Sequence, residues 1–245
     1  MTDIYERTRI LIGDEGLDCL AQAHVLVAGL GGVGGACAEA LCRAGVGELT
    51  LLDHDVFTPS NLNRQLLATQ SVLGQSKALV AAERLRSIRP DIRLNVRDSF
   101  LQASDAQRLV SQGKFDYVAD CIDSIASKAA LILACQQQSV PVMTSLGAGG
   151  RLDVRHVRVG RLDKVEGCGL GRELRKRLRD AQGSLKLPVV YSTEVAVKAL
   201  PHAPVGAPVN PGRPRAVNGT ISYIPNLFGL MVAGEIIRNL LETRA

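Results

Sequence analysis

Short, mostly apolar runs recur along the chain at Val25–Ala28, Leu49–Leu52, Tyr117–Ile122, Val140–Thr144 and Val189–Ser192. Runs of this kind suit strands covered on both faces, as in a parallel sheet. Between them, apolar residues return at helical spacing. Ala78, Val80, Ala81, Leu85 and Ile88 predict a helix over Lys77–Ile88, ended by Arg89-Pro90 because the residue before proline avoids the helical region. Further helices are predicted near Ala103–Gln112, over Ser127–Gln137 and over Asn226–Leu241, with strands at Ile92–Val96 and, as an edge, at Asp153–Val159. Ahead of the first strand, Tyr5–Ile12 leads into a Gly13-Asp14-Glu15-Gly16 turn and a short helical stretch to Ala23. The alternation predicts an α/β, Rossmann-like fold: a mostly parallel sheet with flanking helices, and a C-terminal extension that adds strands.

The first strand runs into Gly29-Leu30-Gly31-Gly32-Val33-Gly34, a Gly-x-Gly-x-x-Gly at the start of a helix. Such glycines permit a tight turn and let backbone amides approach phosphate, while the helix N-terminus adds partial positive charge. The next strand ends at Asp53, placed to bind ribose hydroxyls. These features imply a nucleotide and no particular reaction.

Composition narrows the class. With 245 residues and 46% of them hydrophobic, the chain is read as one domain over 1–245, with a nucleotide-binding core in 1–150 and a basic part in 151–245 that completes the sheet. No bilayer-spanning apolar run is expected, the Met1–Ile10 stretch lacks the apolar core of a secretory signal, and a cytoplasmic location follows as the expectation. Cys19, Cys37, Cys42, Cys121, Cys135 and Cys168 include no Cys-x-x-Cys pair, so they are read as reduced thiols and no zinc is expected. Residues 1–150 carry a net charge of −3 and residues 151–245 a net charge of +8. That excess is either a solvated face or a footprint for a polyanion such as RNA. It includes a helix within Gly167–Leu187, with Leu170, Leu174 and Leu178 on one stripe and Arg172, Arg175, Lys176 and Arg179 on another. The proline-rich Leu200–Arg215 adds Arg213 and Arg215.

Several residues go beyond what a hydride-transfer enzyme needs. Asp53-x-Asp55, then Asn61-x-Asn63-Arg64-Gln65, Lys77, and Asp123 at another strand end supply cations and a carboxylate suited to a triphosphate and its metal. Asp123 can instead be read as a helix N-cap, and the Ser145–Gly150 loop as a plain turn.

Together, GLGGVGG, LTLLDHD, NLNRQ, GQSK and DCIDS resemble the adenylating superfamily of ubiquitin-activating enzymes and the bacterial activators of thiamine and molybdopterin sulfur carriers. Within it, ERTRILIGDEGL, SIRPDI, SLGAGGRLD, VVYSTE and NGTISYIPNLFGLMVAGEII are similar to the tRNA threonylcarbamoyladenosine dehydratase family, a likeness that runs from about Arg7 to the last helix. The resemblance implies ATP held by Gly29, Gly31, Gly32, Gly34, Asp53, Asp55, Asn61, Arg64, Gln65 and Lys77. It implies catalysis by Arg64, Lys77, Asp123 and Arg7, with magnesium on Asp123. Arg7 would reach into the neighbouring subunit's site, which implies a homodimer. The implied substrate is tRNA carrying threonylcarbamoyladenosine, dehydrated next to the anticodon to its cyclic form, with the basic set Arg172, Arg175, Lys176, Arg179, Arg213 and Arg215 facing the tRNA and a sulfur-transfer protein as a further candidate partner. Sulfur-carrier activators commonly hold two Cys-x-x-Cys zinc pairs, which this chain lacks. Cys168 falls near the region where ubiquitin-type activators carry a thioester cysteine, against the plainer reading of an incidental surface thiol. Alternative readings are an activator of a ubiquitin-like or sulfur-carrier protein, a non-catalytic nucleotide-binding adaptor, and, more distantly, a nicotinamide dehydrogenase.

Overall fold

Val25 and Val27 belong to the core on one face of a sheet that has seven strands among the described residues, Leu26 and Ala28 to the core on the other, and all four are fully buried. The apolar run is therefore a strand with no solvent face. In the computed structural model, which describes residues 4–197, 200 and 219–244, the elements are α1 (Glu6–Gln22), β1 (His24–Ala28), α2 (Gly32–Ala44), β2 (Glu48–Asp53), α3 (Lys77–Ile88), β3 (Arg93–Asp98), α4 (Ala106–Gly113), β4 (Tyr117–Asp120), α5 (Ile125–Gln137), β5 (Val142–Ser145), β6 (Val157–Arg161), α6 (Gly169–Asp180), β7 (Pro188–Ser192) and α7 (Ile224–Arg244). The sheet order is β3-β2-β1-β4-β5-β7-β6, parallel throughout except for β6, which pairs antiparallel with β7. The strand order reverses between β1 and β4. In such sheets a crevice opens there, beyond the carboxyl ends of the strands.

Local chemistry sets the element ends. Gly45, with φ +107°, closes α2, and Ser76 caps α3 by accepting from the Leu79 amide at 3.4 Å. Three expectations are corrected. The Gly13–Gly16 stretch is not a turn between segments: the helix runs on both sides, kinked at Gly13 (φ +71°). The edge strand starts at Val157, because Asp153 accepts from the Arg155 amide and folds Val154–His156 into a 3-10 turn. Finally, α7 is long and apolar enough, by length and composition, to cross a membrane, although no segment of that kind was expected.

The apolarity of α7 is used inside the fold. Ile224, Phe228, Val232, Ala233 and Ile236 join α1, α2 and α3 in the core on one face of the sheet, while α4, α5 and α6 cover the other. Gly229 lets α7 approach the backbone of α2: a Cβ there would meet the Val33 carbonyl oxygen and sit 2.9 Å from the Ala36 Cβ. Gly234, five residues on, is exposed and has nothing within 4 Å among the described residues. Gly229→Ala should destabilise the protein by about 1–3 kcal/mol through overpacking. Gly234→Ala should be neutral or stabilise by up to about 1 kcal/mol through helix propensity. Thermal melts of the two variants check the contrast, and equal melting temperatures would contradict this account of the α2–α7 contact.

Candidate active site

The crevice beyond β1, β2 and β4 is a cleft of about 420 Å³, within the usual range for small-molecule sites. Its floor is the glycine loop. Gly29 takes φ +86° and lies so close to the loop after β4 that a Cβ would sit 2.8 Å from the Cys121 carbonyl oxygen. Gly31 and Gly32 line the cleft, but Gly34 does not. A side chain at Gly34 would collide with the Gly29 carbonyl oxygen, so this glycine works from behind, letting α2 begin directly under the loop. The N-terminus of α2 thus faces the cleft, where it favours an anion.

At the end of β2, the Asp53 carboxylate accepts from the Leu30 amide at 2.5 Å and the Asp55 amide at 2.8 Å. It holds the glycine loop and its own loop together while lining the cleft. The buried Lys77 pairs with Asp55 at 2.9 Å. Asp53, His54 and Asp55 bring three donor atoms within 4.8 Å of one another, but Asp53 is committed to two amides and Asp55 to Lys77, which weakens them as a cation site.

The polar stretch after β2 folds into a tight turn, in which Asn61 Oδ1 accepts from the Thr58 amide at 3.1 Å. It brings Asn61, Arg64 and Gln65 to the cleft wall. Arg64 donates to the Ser60 carbonyl at 2.7 Å and to Asn63 Oδ1 at 2.9 Å, and partial burial lowers its pKa. Gln65 Oε1 is buried with no hydrogen-bond partner among the described residues. An orphaned acceptor beside the side-chain-free Gly31 is what a bound donor, such as a nucleotide hydroxyl or amine, would satisfy.

Asp123 lies across β1 from Asp53, exposed on the loop after β4 and lining the cleft. The N-cap position of α5 is Ser124, so the reading of Asp123 as a cap is not supported. Ala148 and Gly149 bring the Ser145–Gly150 loop to the same cleft.

Some cleft residues escape a reading of the sequence. Phe100 stands beside His54 at the mouth, ring centroids 4.8 Å apart, with Ser99 and Leu101 next to it. The signal was an aromatic just past a strand end. The C-terminal segment also contributes: Thr220 and Pro225 line the cleft, Asn226 Nδ2 donates to the Arg64 carbonyl at 3.1 Å, and Asn63 Nδ2 donates to the Thr220 carbonyl at 2.9 Å.

Other predicted residues lie elsewhere. Arg7 is exposed on α1 and does not line the cleft of its own chain. On α6, Arg172, Lys176 and Arg179 are exposed, whereas Arg175 is turned inward, donating to the Leu162 carbonyl at 3.2 Å and the Val165 carbonyl at 2.6 Å. Cys168 is not a surface thiol: it is buried and caps α6, accepting from the Gly171 amide at 3.4 Å. Arg213 and Arg215 lie outside the described residues.

Comparison with known proteins bears on the fold and the family. Residues 5–245 match the ThiF family. The tRNA threonylcarbamoyladenosine dehydratase of Escherichia coli K12 is 40% identical over 78% of this chain and 73% of its own length, and that of Haemophilus influenzae is 32% identical over 92% and 88%. A crystal structure of the Escherichia coli enzyme, TcdA, in complex with ATP superposes with a TM-score of 0.86 at 33% identity, covering 98% of this chain and 94% of that one. With fold and sequence in agreement over nearly its whole length, the chain belongs to the ThiF family and, within it, to the tRNA threonylcarbamoyladenosine dehydratases.

Proposed function

We infer that the protein is an ATP-dependent enzyme that dehydrates N6-threonylcarbamoyladenosine in tRNA, next to the anticodon, to its cyclic form. The observation that carries this is one cleft in which the glycine loop, Arg64, Gln65, Lys77 and Asp123 converge, in a chain that matches dehydratases over most of its length. A carboxylate is a poor electrophile because its leaving group is oxide. Activation by ATP converts that oxygen into part of a phosphate leaving group, and attack from within the same modification then closes the ring with net loss of water. Holding both ends of one modification supplies the proximity such a closure needs.

In this reading Gly31, Gly32 and the start of α2 take the phosphates, and Asp53 takes the ribose. Arg64 and Lys77 oppose the charge that develops at phosphorus. Asp123 would hold magnesium with the phosphates, since this ion is usually bound through one or two carboxylates with substrate and water completing its shell. Arg7, outside its own cleft, would act in the cleft of a second copy, making the assembly a homodimer. Exposed Ile10 and Leu11 beside it on α1 support a face that another chain covers. The exposed cations of α6 would meet tRNA: Cys168 and Leu170 at its start adjoin Gly147, in the loop that brings Ala148 and Gly149 to the cleft. A cytoplasmic location, where tRNA is modified, follows from this reading.

Incubation of modified tRNA with the protein, ATP and magnesium should yield a nucleoside lighter by one water, and Arg64→Ala should lower that turnover by about 10²–10³-fold. ATP turnover that instead requires a small Gly-Gly-tailed protein would assign the cleft to carrier activation, and formation of the cyclic nucleoside at wild-type rate by Arg64→Ala would exclude the role given to that residue. Replacing Arg172, Lys176 and Arg179 by Ala should weaken tRNA binding and reduce the slope of log affinity against log salt by about 3, roughly one per phosphate contact. An unchanged slope would return α6 to the status of a solvated face. Mixing inactive Arg7→Ala and Arg64→Ala subunits should restore roughly a quarter of wild-type activity, because half of randomly paired C2 dimers then carry one complete site. No recovery after subunit exchange would rule out an arginine acting in trans.

A further inference from the structure

Lys128 and Asp120 form an ion pair with no exposed atoms, at 2.7 Å, directly beneath the cleft. Neither side chain lines the cleft, and neither belongs to the nucleotide constellation. Such a pair is a costly way to fill a core, since well-packed apolar residues of similar volume serve stability as well or better. What distinguishes it is where its bonds go.

The Lys128 ammonium, on the first turns of α5, donates to Asp120 Oδ2, to the Ser145 carbonyl at 3.0 Å and, at 3.5 Å, to the Asp120 carbonyl. Asp120 and Ser145 are the last residues of β4 and β5. The ammonium therefore ties together the two points from which the Asp123 loop and the Ser145–Gly150 loop leave the sheet. Asp120 carries the connection upward. Its Oδ2 also accepts from Thr144 Oγ1 at 3.1 Å, and its Oδ1 accepts from the Ile122 amide at 3.3 Å, one residue before Asp123. Between these, the Cys121 carbonyl packs against Gly29 so closely that a Cβ there would have no room. Burial raises the Asp120 carboxyl pKa, and the Lys128 charge, then the Ile122 and Thr144 hydrogen bonds, oppose the shift.

We propose that Lys128 is a positioning residue for the reaction: through Asp120 and the Ser145 carbonyl it sets the spacing between the Asp123 loop, the Ser145–Gly150 loop and the glycine loop. One buried ammonium thus anchors the loops that leave β4 and β5, and the first of these abuts the glycine loop at the Cys121 carbonyl. The inference rests on the reading of the cleft as the reaction site.

The test compares wild type, Lys128→Met and the double variant Asp120→Asn/Lys128→Met by thermal melting, by hydrogen–deuterium exchange and by steady-state kinetics of dehydration. Lys128→Met leaves a buried carboxyl without its partner and should lower the melting temperature. The double variant removes both charges and should recover most of that loss. Neither restores the bond to the Ser145 carbonyl. Both should therefore show faster amide exchange in 121–127 and 145–150, with 25–28 and 49–52 unchanged. Both should also lose about a hundredfold in kcat, the scale expected for displacement of about 1 Å at a reacting centre, with a much smaller change in the KM for ATP. A double variant with recovered stability, wild-type exchange in the two loops and kcat within about twofold of wild type would overturn the proposal and leave the pair a packing feature. Should Lys128→Met not fold, the double variant decides alone. If wild type itself forms no cyclic nucleoside, the reading of the reaction has failed, and the exchange pattern still decides whether Lys128 positions the loops.

Discussion

The closeness of two backbones controls this structure. The start of α2 sits against the Gly29 carbonyl with no room for a side chain at Gly34, and Gly29 in turn sits against the Cys121 carbonyl with none for its own. These two approaches bring a helix N-terminus, the end of β1 and the end of β4 to one place. Charge gathers there because geometry already has: amide groups point outward from α2, and Asp53 binds the loop from the side. A larger residue at either glycine would push the helix or the loop away and separate the cleft walls.

Much of the sheet could be read from periodicity alone. β1, β2, β4, β5 and β7 are apolar runs because both faces are covered, and parity along β1 sends alternate residues to two cores. The glycine loop, Asp53 and Asp123 were visible because residues that leave a parallel strand at its carboxyl end must arrive at the same crevice. The failures share a cause. The 3-10 turn at Val154–His156 depends on one side-chain-to-backbone bond from Asp153, which hydrophobic patterning does not register. Arg175 looked like a member of an exposed stripe, yet its length lets it fold back onto two carbonyls near the start of its own helix.

The cleft residues missed by sequence came from farther away. Asn226 supports the Arg64 carbonyl across 162 positions, and Asn63 holds Thr220 across 157. No local pattern encodes such pairings. Lys128 was hidden differently: a lysine in a helix is ordinarily read as solvated, and only the depth of α5 against the ends of β4 and β5 makes it a buried cross-tie.

The clamp made by Thr220, Pro225 and Asn226 ties the two ends of the chain to one cleft. The glycine loop and its acid lie in the first quarter of the chain, but the turn that carries Arg64 is braced by residues near the other end. The early βαβ unit is not self-contained, because α2 packs against α7 and β1 pairs with β4 as well as with β2. The wall that carries Arg64 is therefore complete only in a chain that includes the start of α7. A chain cut ahead of Thr220 would keep the glycine loop and lose the braces on the Arg64 turn, so the two ends of the sequence must be present together for the cleft to have all its walls.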